Sequence, residues 1–137
     1  MSTACFWVEP IPGDPLERFH RPDTGEVFAR LGDCPPGAMW DARWMVDGHA
    51  CGGYFLGGAN EQDGRWLVVR LPNGHDWCID SRCSNCTKKD DNTHRCWVRH
   101  GEPPNVTVDK NGNTCDAGAG SILSGDYHGF LQNGSLT

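Results

Sequence analysis

The stretch Arg65-Trp-Leu-Val-Val-Arg-Leu71, followed by Pro72-Asn-Gly74 and then His75-Asp-Trp-Cys-Ile-Asp80, decides the fold. Its first run is rich in β-branched and aromatic residues, which fit a pleated, half-buried surface. Asn-Gly between two such runs is a strong short-range hairpin signal. Side chains on a strand alternate between faces. Trp66, Val68 and Arg70 are therefore expected on one side, and Leu67, Val69 and Leu71 on the other.

Working outward, the same punctuation recurs. Gln132-Asn-Gly and Ser135-Leu-Thr read as a second Asn-Gly hairpin, preceded by Tyr127-His-Gly-Phe-Leu and by Ser121-Ile-Leu with a Ser124-Gly-Asp turn. Arg95–His100 and Asn105–Val108 read as further short strands. Upstream, the best helix candidate is Ala38–Val46, where Trp40 and Trp44 stand four apart and would share a helical face. Residues 1–37 hold Pro10, Pro12, Pro15, Pro22, Pro35 and Pro36, six of the nine prolines. They read as a proline-rich extended arm or loop layer, with a short strand at Cys5–Val8. The division expected is 1–37 for this layer and 38–137 for a β-rich, zinc-binding domain. The fold class is mainly β: a small single domain of short antiparallel strands and hairpins with one short helix.

Composition agrees with that class. The chain has 137 residues with 18 Gly, six Trp and eight Cys, and a formal net charge of -6. Gly and Pro in such numbers disfavour a helix bundle, and no apolar run is long enough to span a bilayer. An acidic balance argues against a protein held mainly by nucleic-acid phosphates. Met1-Ser-Thr-Ala-Cys-Phe-Trp lacks the basic start of a secretory signal, so a reducing cytosol is expected. In that setting cysteines serve as metal ligands or as small core residues. Asn85-Cys-Thr, Asn105-Val-Thr and Asn133-Gly-Ser, which fit the glycosylation pattern, then read as chance matches.

Cys83-Ser-Asn-Cys86 is the sharpest local signal. A Cys-x-x-Cys turn lets two thiolates meet one ion, which is half of a tetrahedral zinc site. The other half is sought among His94, Cys96, His100, Cys115 and His128. The residues favour Cys83 or Cys86 together with Cys96, Cys115 and His128, and a Zn²⁺ ion there would staple distant segments. Cys34, His49 and Cys51 form a candidate second site, although these cysteines read better as small core residues. Cys78, between Trp77 and Ile79 on a strand, reads as a core thiol. A redox dithiol is disfavoured because no helix signal follows the Cys-x-x-Cys.

Arg82, Lys88, Lys89, Arg95 and Arg99 against Asp90 and Asp91 give residues 81–100 a local charge of +3, with Trp97 among them. These are candidate binding residues for a phosphate backbone or an acidic partner, although cations beside a thiolate cluster also serve to offset its charge. No spacing matches a catalytic motif: His-Glu-x-x-His, Gly-x-Ser-x-Gly, a phosphate-cradling Gly-Lys-Ser/Thr and the deaminase signature are all missing from the sequence. An enzyme is not expected, and no catalytic residue is assigned.

Asp90-Asp-Asn-Thr-His-Arg-Cys-Trp-Val-Arg-His-Gly-Glu-Pro-Pro104, Val108-Asp-Lys-Asn-Gly, Thr114-Cys-Asp-Ala-Gly-Ala-Gly-Ser-Ile122 and Tyr127-His-Gly-Phe-Leu-Gln-Asn-Gly134, with Asn85-Cys-Thr, carry a resemblance. Together they resemble a group of short proteins of actinobacterial bacteriophages and prophages that has no known activity. The Ala38-Met-Trp stretch and the hairpin at 65–80 fit the same pattern, so the resemblance covers roughly residues 34–137. More distantly, the cysteine pair, the strand ending in Ser-Ile and the His-Gly-Phe strand are similar to small phage domains thought to hold zinc. In the closer group the position of Cys83 is not always Cys. The resemblance therefore implies Cys86, Cys96, Cys115 and His128 as the ligands, with Cys83, His94 and His100 in reserve. It implies a phage-encoded, non-enzymatic, zinc-binding accessory protein in the host cytoplasm or the virion, acting through a protein partner. The expected contact surface is exposed Trp side chains and the 1–37 arm. A capsid decoration or head-associated protein is the alternative, and a nucleic-acid-binding zinc module a weaker one.

Overall fold

The computed structural model describes residues 2–42, 66–79, 98–109 and 121–137. The strands are β1 (Thr3–Ala4), β2 (Phe6–Trp7), β3 (Glu9–Pro10), β4 (Phe19–His20) and β5 (Val27–Phe28). They continue with β6 (Ala38–Asp41), β7 (Leu67–Arg70), β8 (Asp76–Cys78), β9 (Val98–His100) and β10 (Thr107–Asp109). The last four are β11 (Ile122–Ser124), β12 (Tyr127–Gly129), β13 (Leu131–Gln132) and β14 (Ser135–Leu136). The fold is mainly β, as its alternation and turn residues require. No helix among the described residues is long and apolar enough to cross a membrane.

At the centre lies a four-stranded sheet in the order β2-β6-β7-β8. The β7–β8 hairpin has Val68 opposite Cys78 and Arg70 opposite Asp76. Its loop is not the two-residue turn that Asn-Gly favours. Pro72 fixes a negative φ at the first turn position, which a type I′ turn excludes. The chain takes the longer route instead. The Gly74 amide donates to the Leu71 carbonyl at 2.9 Å, and the Leu71 amide donates to the His75 carbonyl at 2.8 Å. Gly74 absorbs the left-handed step at φ +88°. The β13–β14 hairpin has no such proline. There Asn133 and Gly134, at φ +49° and +73°, make the two-residue turn with both torsions positive.

The helix expected over 38–46 is not formed at its described residues. Ala38–Asp41 is strand β6, paired in parallel with β2 and antiparallel with β7. The reason is burial on both faces. Met39 joins one apolar cluster, while Ala38, Trp40 and Ala42 join the other. A strand buried on both sides reads as an unbroken apolar run, which mimics a short helix. The helical content of the described residues is a single 3-10 turn at Leu31–Asp33.

The two faces of the central sheet carry two cores. Leu67, Val69, Leu71 and Met39 point to one face, where Val106, Val108, Ile122, Leu131 and Leu136 cover them. Trp66, Val68, Trp40 and Cys78 point to the other, covered by Phe28 and Cys34 with Phe19 and Leu31 at the margin. The alternation read from the sequence of β7 is therefore the alternation that builds both cores. Segment 1–37 and the remainder share sheets: β2 pairs with β6, and β1 pairs with β14. Gly37 sits at this junction with φ +98°, and a Cβ there would collide with the Ala4 carbonyl oxygen.

Candidate functional site

Most of the residues expected to bind metal lie outside the described residues: Cys83, Cys86, His94, Cys96 and Cys115. So do His49 and Cys51 of the second candidate site, and Arg82, Lys88, Lys89, Arg95 and Trp97 of the basic segment. The described members are each engaged locally. His100 Nε2 lies 3.0 Å from Asp109 Oδ1 across the β9–β10 ladder. His128 Nε2 lies 3.1 Å from Ser121 Oγ. Among the described residues, no three His, Cys, Asp or Glu side chains come together as a metal group.

Arg99 departs from its expected role. It stands opposite Val108, whose side chain is in the core, so the same pleat turns Arg99 inward and buries it. It is not part of an open basic surface. The tryptophans depart as well. Trp40 and Trp66 are buried, and Trp7 and Trp77 are half-buried, so none of the four described is an exposed contact residue. Rings of that size supply the area that two thin cores require. Trp7 also spends its indole N–H within the fold, donating to Glu9 Oε2 at 3.2 Å.

The cysteines divide sharply. Cys5 and Cys34 are free thiols. Burial pushes the Cys5 thiol up to about 12, and burial likewise raises Cys34, so neither is a reactive thiolate. Cys78 is not the core thiol expected of it. It is disulfide-bonded, and its partner is not among the described residues.

A surface feature that the sequence reading did not single out lies on the C-terminal hairpins. In β11–β12, Ile122 and Gly129 are opposite each other and buried, so the next pair, Leu123 and His128, faces outward. The bond from His128 to Ser121 places Ser121 on that same outward face. Phe130 lies two residues beyond His128, between buried Gly129 and buried Leu131, and alternation turns it outward too. Leu123 is 73% exposed and Phe130 44%. The hairpins beneath are closely fitted. A Cβ on Gly129 would run into the Thr137 carbonyl oxygen and the Tyr127 hydroxyl. Tyr127 Oη in turn donates to the Thr137 carbonyl at 2.9 Å. A sequence signal did exist. Ile122-Leu123 and Phe130-Leu131 place apolar residues at adjacent strand positions, and one of each pair must face away from a one-sided core.

Two large exposed apolar side chains, Leu123 and Phe130, thus lie beside a histidine–hydroxyl pair. Comparison with protein-family models, curated proteins and solved structures finds no match to this chain.

Proposed function

We propose that the chain is a non-enzymatic binding protein, a phage-encoded accessory factor, that docks a protein partner on the outward face of the β11–β12 hairpin. The observation supporting this reading is the exposure of Leu123, opposite His128, and of Phe130, two residues beyond it, beside the contact between His128 and Ser121. Apolar side chains around a polar pair fit the centre of a protein interface better than a solvated surface. Burying both would contribute on the order of 3 kcal/mol, enough to anchor a contact that polar rim residues then specify.

The test is a double substitution, Leu123→Asp with Phe130→Asp. Both side chains point to solvent, so the fold is expected to survive, as read by circular dichroism and thermal melting. Purified phage particles and host extract are then presented to wild type and variant. Co-sedimentation with particles, lost in the variant, supports a virion-associated partner. Crosslinking to a host protein, lost in the variant, supports a host-directed factor. Equal binding by wild type and variant overturns the proposal. So does a nucleic-acid mobility shift that survives about 150 mM salt and is unchanged in the variant.

A further inference from the structure

We infer that Asn73, in the loop of the β7–β8 hairpin, is a modification site: deamidation of its side chain turns a latch on the β11–β12 turn into a repulsive contact and frees that turn from the central sheet. This inference is independent of the docking face proposed above.

Both ends of the Asn73 amide are engaged. Its Oδ1 accepts from the His75 backbone amide at 3.0 Å. Its Nδ2 donates to the Ser124 carbonyl at 2.8 Å and to Asp126 Oδ1 at 2.9 Å. One donor and two acceptors fix which end of the side chain is nitrogen. The turn it grips is closely fitted: Gly125 has φ +60°, and a Cβ there would run into the His75 ring. Ile122 anchors the other end of the β11–β12 hairpin in the aliphatic core. An aspartate at position 73 has no N–H to give. Its carboxylate would face a carbonyl oxygen and a second carboxylate, so two hydrogen bonds are lost and like charges meet. Asn133-Gly134 supplies the contrast. Asn133 Oδ1 accepts from the Thr107 hydroxyl at 3.3 Å. Aspartate keeps that oxygen and tolerates the left-handed backbone of the turn. The same chemistry is disruptive at 73 and tolerated at 133.

The step consumes water alone. Glycine has no Cβ, so its amide nitrogen meets little steric resistance in reaching the preceding side chain. The Gly74 nitrogen gives up its proton and attacks Asn73 Cγ. The N–Cγ bond forms, the Cγ–Nδ2 bond breaks, and Nδ2 leaves with the proton as ammonia. Water then adds to the cyclic imide and breaks one of its two carbonyl–nitrogen bonds, which leaves aspartate or isoaspartate. Nothing is oxidised or reduced. In the folded chain the Gly74 N–H donates to the Leu71 carbonyl at 2.9 Å, so the attack proceeds from a local opening of the loop. Gly74 is exposed, and opening an exposed loop costs little. Gly134 is buried, with its N–H tied to the Val106 carbonyl at 3.0 Å, which shields Asn133.

The experiment incubates the full chain in mildly alkaline buffer beside a peptide of residues 71–77, and maps both by mass spectrometry. Asn73 of the folded chain is expected to convert about tenfold more slowly than in the peptide, and ahead of Asn133. Variants read the consequence. Asn73→Asp is expected to lower the melting midpoint by about 5 °C and to speed amide exchange at residues 124–127 about tenfold. Asn133→Asp should move the midpoint by no more than about 1 °C. Adding Asp126→Asn to Asn73→Asp should regain about half of the lost midpoint, because the new amide donates to the carboxylate at 73. The inference is overturned if Asn73 is still an amide after an incubation about a hundredfold longer than the peptide requires. It is also overturned if Asn73→Asp melts and exchanges like wild type, or if the second substitution restores nothing. Because the Leu123 and Phe130 variants are read by partner binding and this test by side-chain conversion and melting, either proposal can fail alone.

Discussion

The two faces of the central sheet rest on different chemistry. On one face, Leu67, Val69 and Met39 meet Val106, Ile122, Leu131 and Leu136, an aliphatic core closed by tight hairpins. On the other, rings dominate: Trp66, Trp40, Phe6 and Phe28. That second face also carries charge and sulfur. Arg70 reaches from β7 to donate to the carbonyls of Leu31 at 2.8 Å and Cys34 at 2.7 Å, and pairs with Asp76 at 2.9 Å. Its guanidinium lies 5.5 Å from the Trp40 ring centre. The aliphatic face has a buried guanidinium of its own, Arg99, opposite Val108. The aromatic face is covered by three short strands and a 3-10 turn, and Arg70 ties the end of that turn to the sheet.

If the faces are separate cores, truncations on each should act independently. Trp66→Ala is expected to cost about 4 kcal/mol and Ile122→Ala about 3 kcal/mol. The double variant should sum to within about 0.5 kcal/mol. Denaturant melts of the four proteins check this, and strong coupling would mean that the sheet does not insulate one core from the other. Next in size, Arg70→Ala should cost about 3 kcal/mol, because it takes the donor from the Cys34 carbonyl and removes the bonds to Leu31 and Asp76. Asp76→Asn should cost only about 1 kcal/mol, since Asp76 is half exposed and the carbonyl bonds remain. Equal losses would place the weight on the ion pair instead of the carbonyl clamp.

Smaller effects sharpen the contrast at the margins. Gly134→Ala is expected to cost about 1 kcal/mol through its positive φ and through contact with the Pro104 carbonyl, 2.7 Å from the new Cβ. The smallest lies at the rim of the aromatic side. Hydrogen bonds from the Arg18 side chain and amide hold the Asp14 carboxyl down to about 2. A lowered carboxyl pKa gives stability that is present above the ordinary carboxylate value and is lost as pH falls toward 2. An NMR titration of Asp14 should show this value, and Arg18→Ala should return it toward 3.8.

The hairpins were legible because their turn chemistry is local: Asn73-Gly74, Gly125 and Asn133-Gly134 announce themselves within four residues. The facing of Trp66, Val68 and Leu67 was legible for the same reason, since alternation needs no partner. The strand at Ala38–Asp41 was hidden because its evidence is distant. Only the layers on the two faces of the sheet, Ile122, Leu131 and Leu136 on one and Phe28 and Cys34 on the other, make Met39 and Trp40 both interior, and no window around residue 38 contains that fact. The candidate docking face was legible in part, as adjacent apolar residues at 122–123 and 130–131. Which member faces out depends on the packing of Gly129 against Thr137. The Cys78 bond could not be read, because pairing among eight cysteines is a property of the folded path.

The pairing of β1 with β14 places Ser2 beside Thr137 at one end of an antiparallel ladder, with Thr3 opposite Leu136 and Ala4 opposite Ser135. A load pulling those two points apart would therefore peel the ladder one rung at a time, the weakest direction for a β structure.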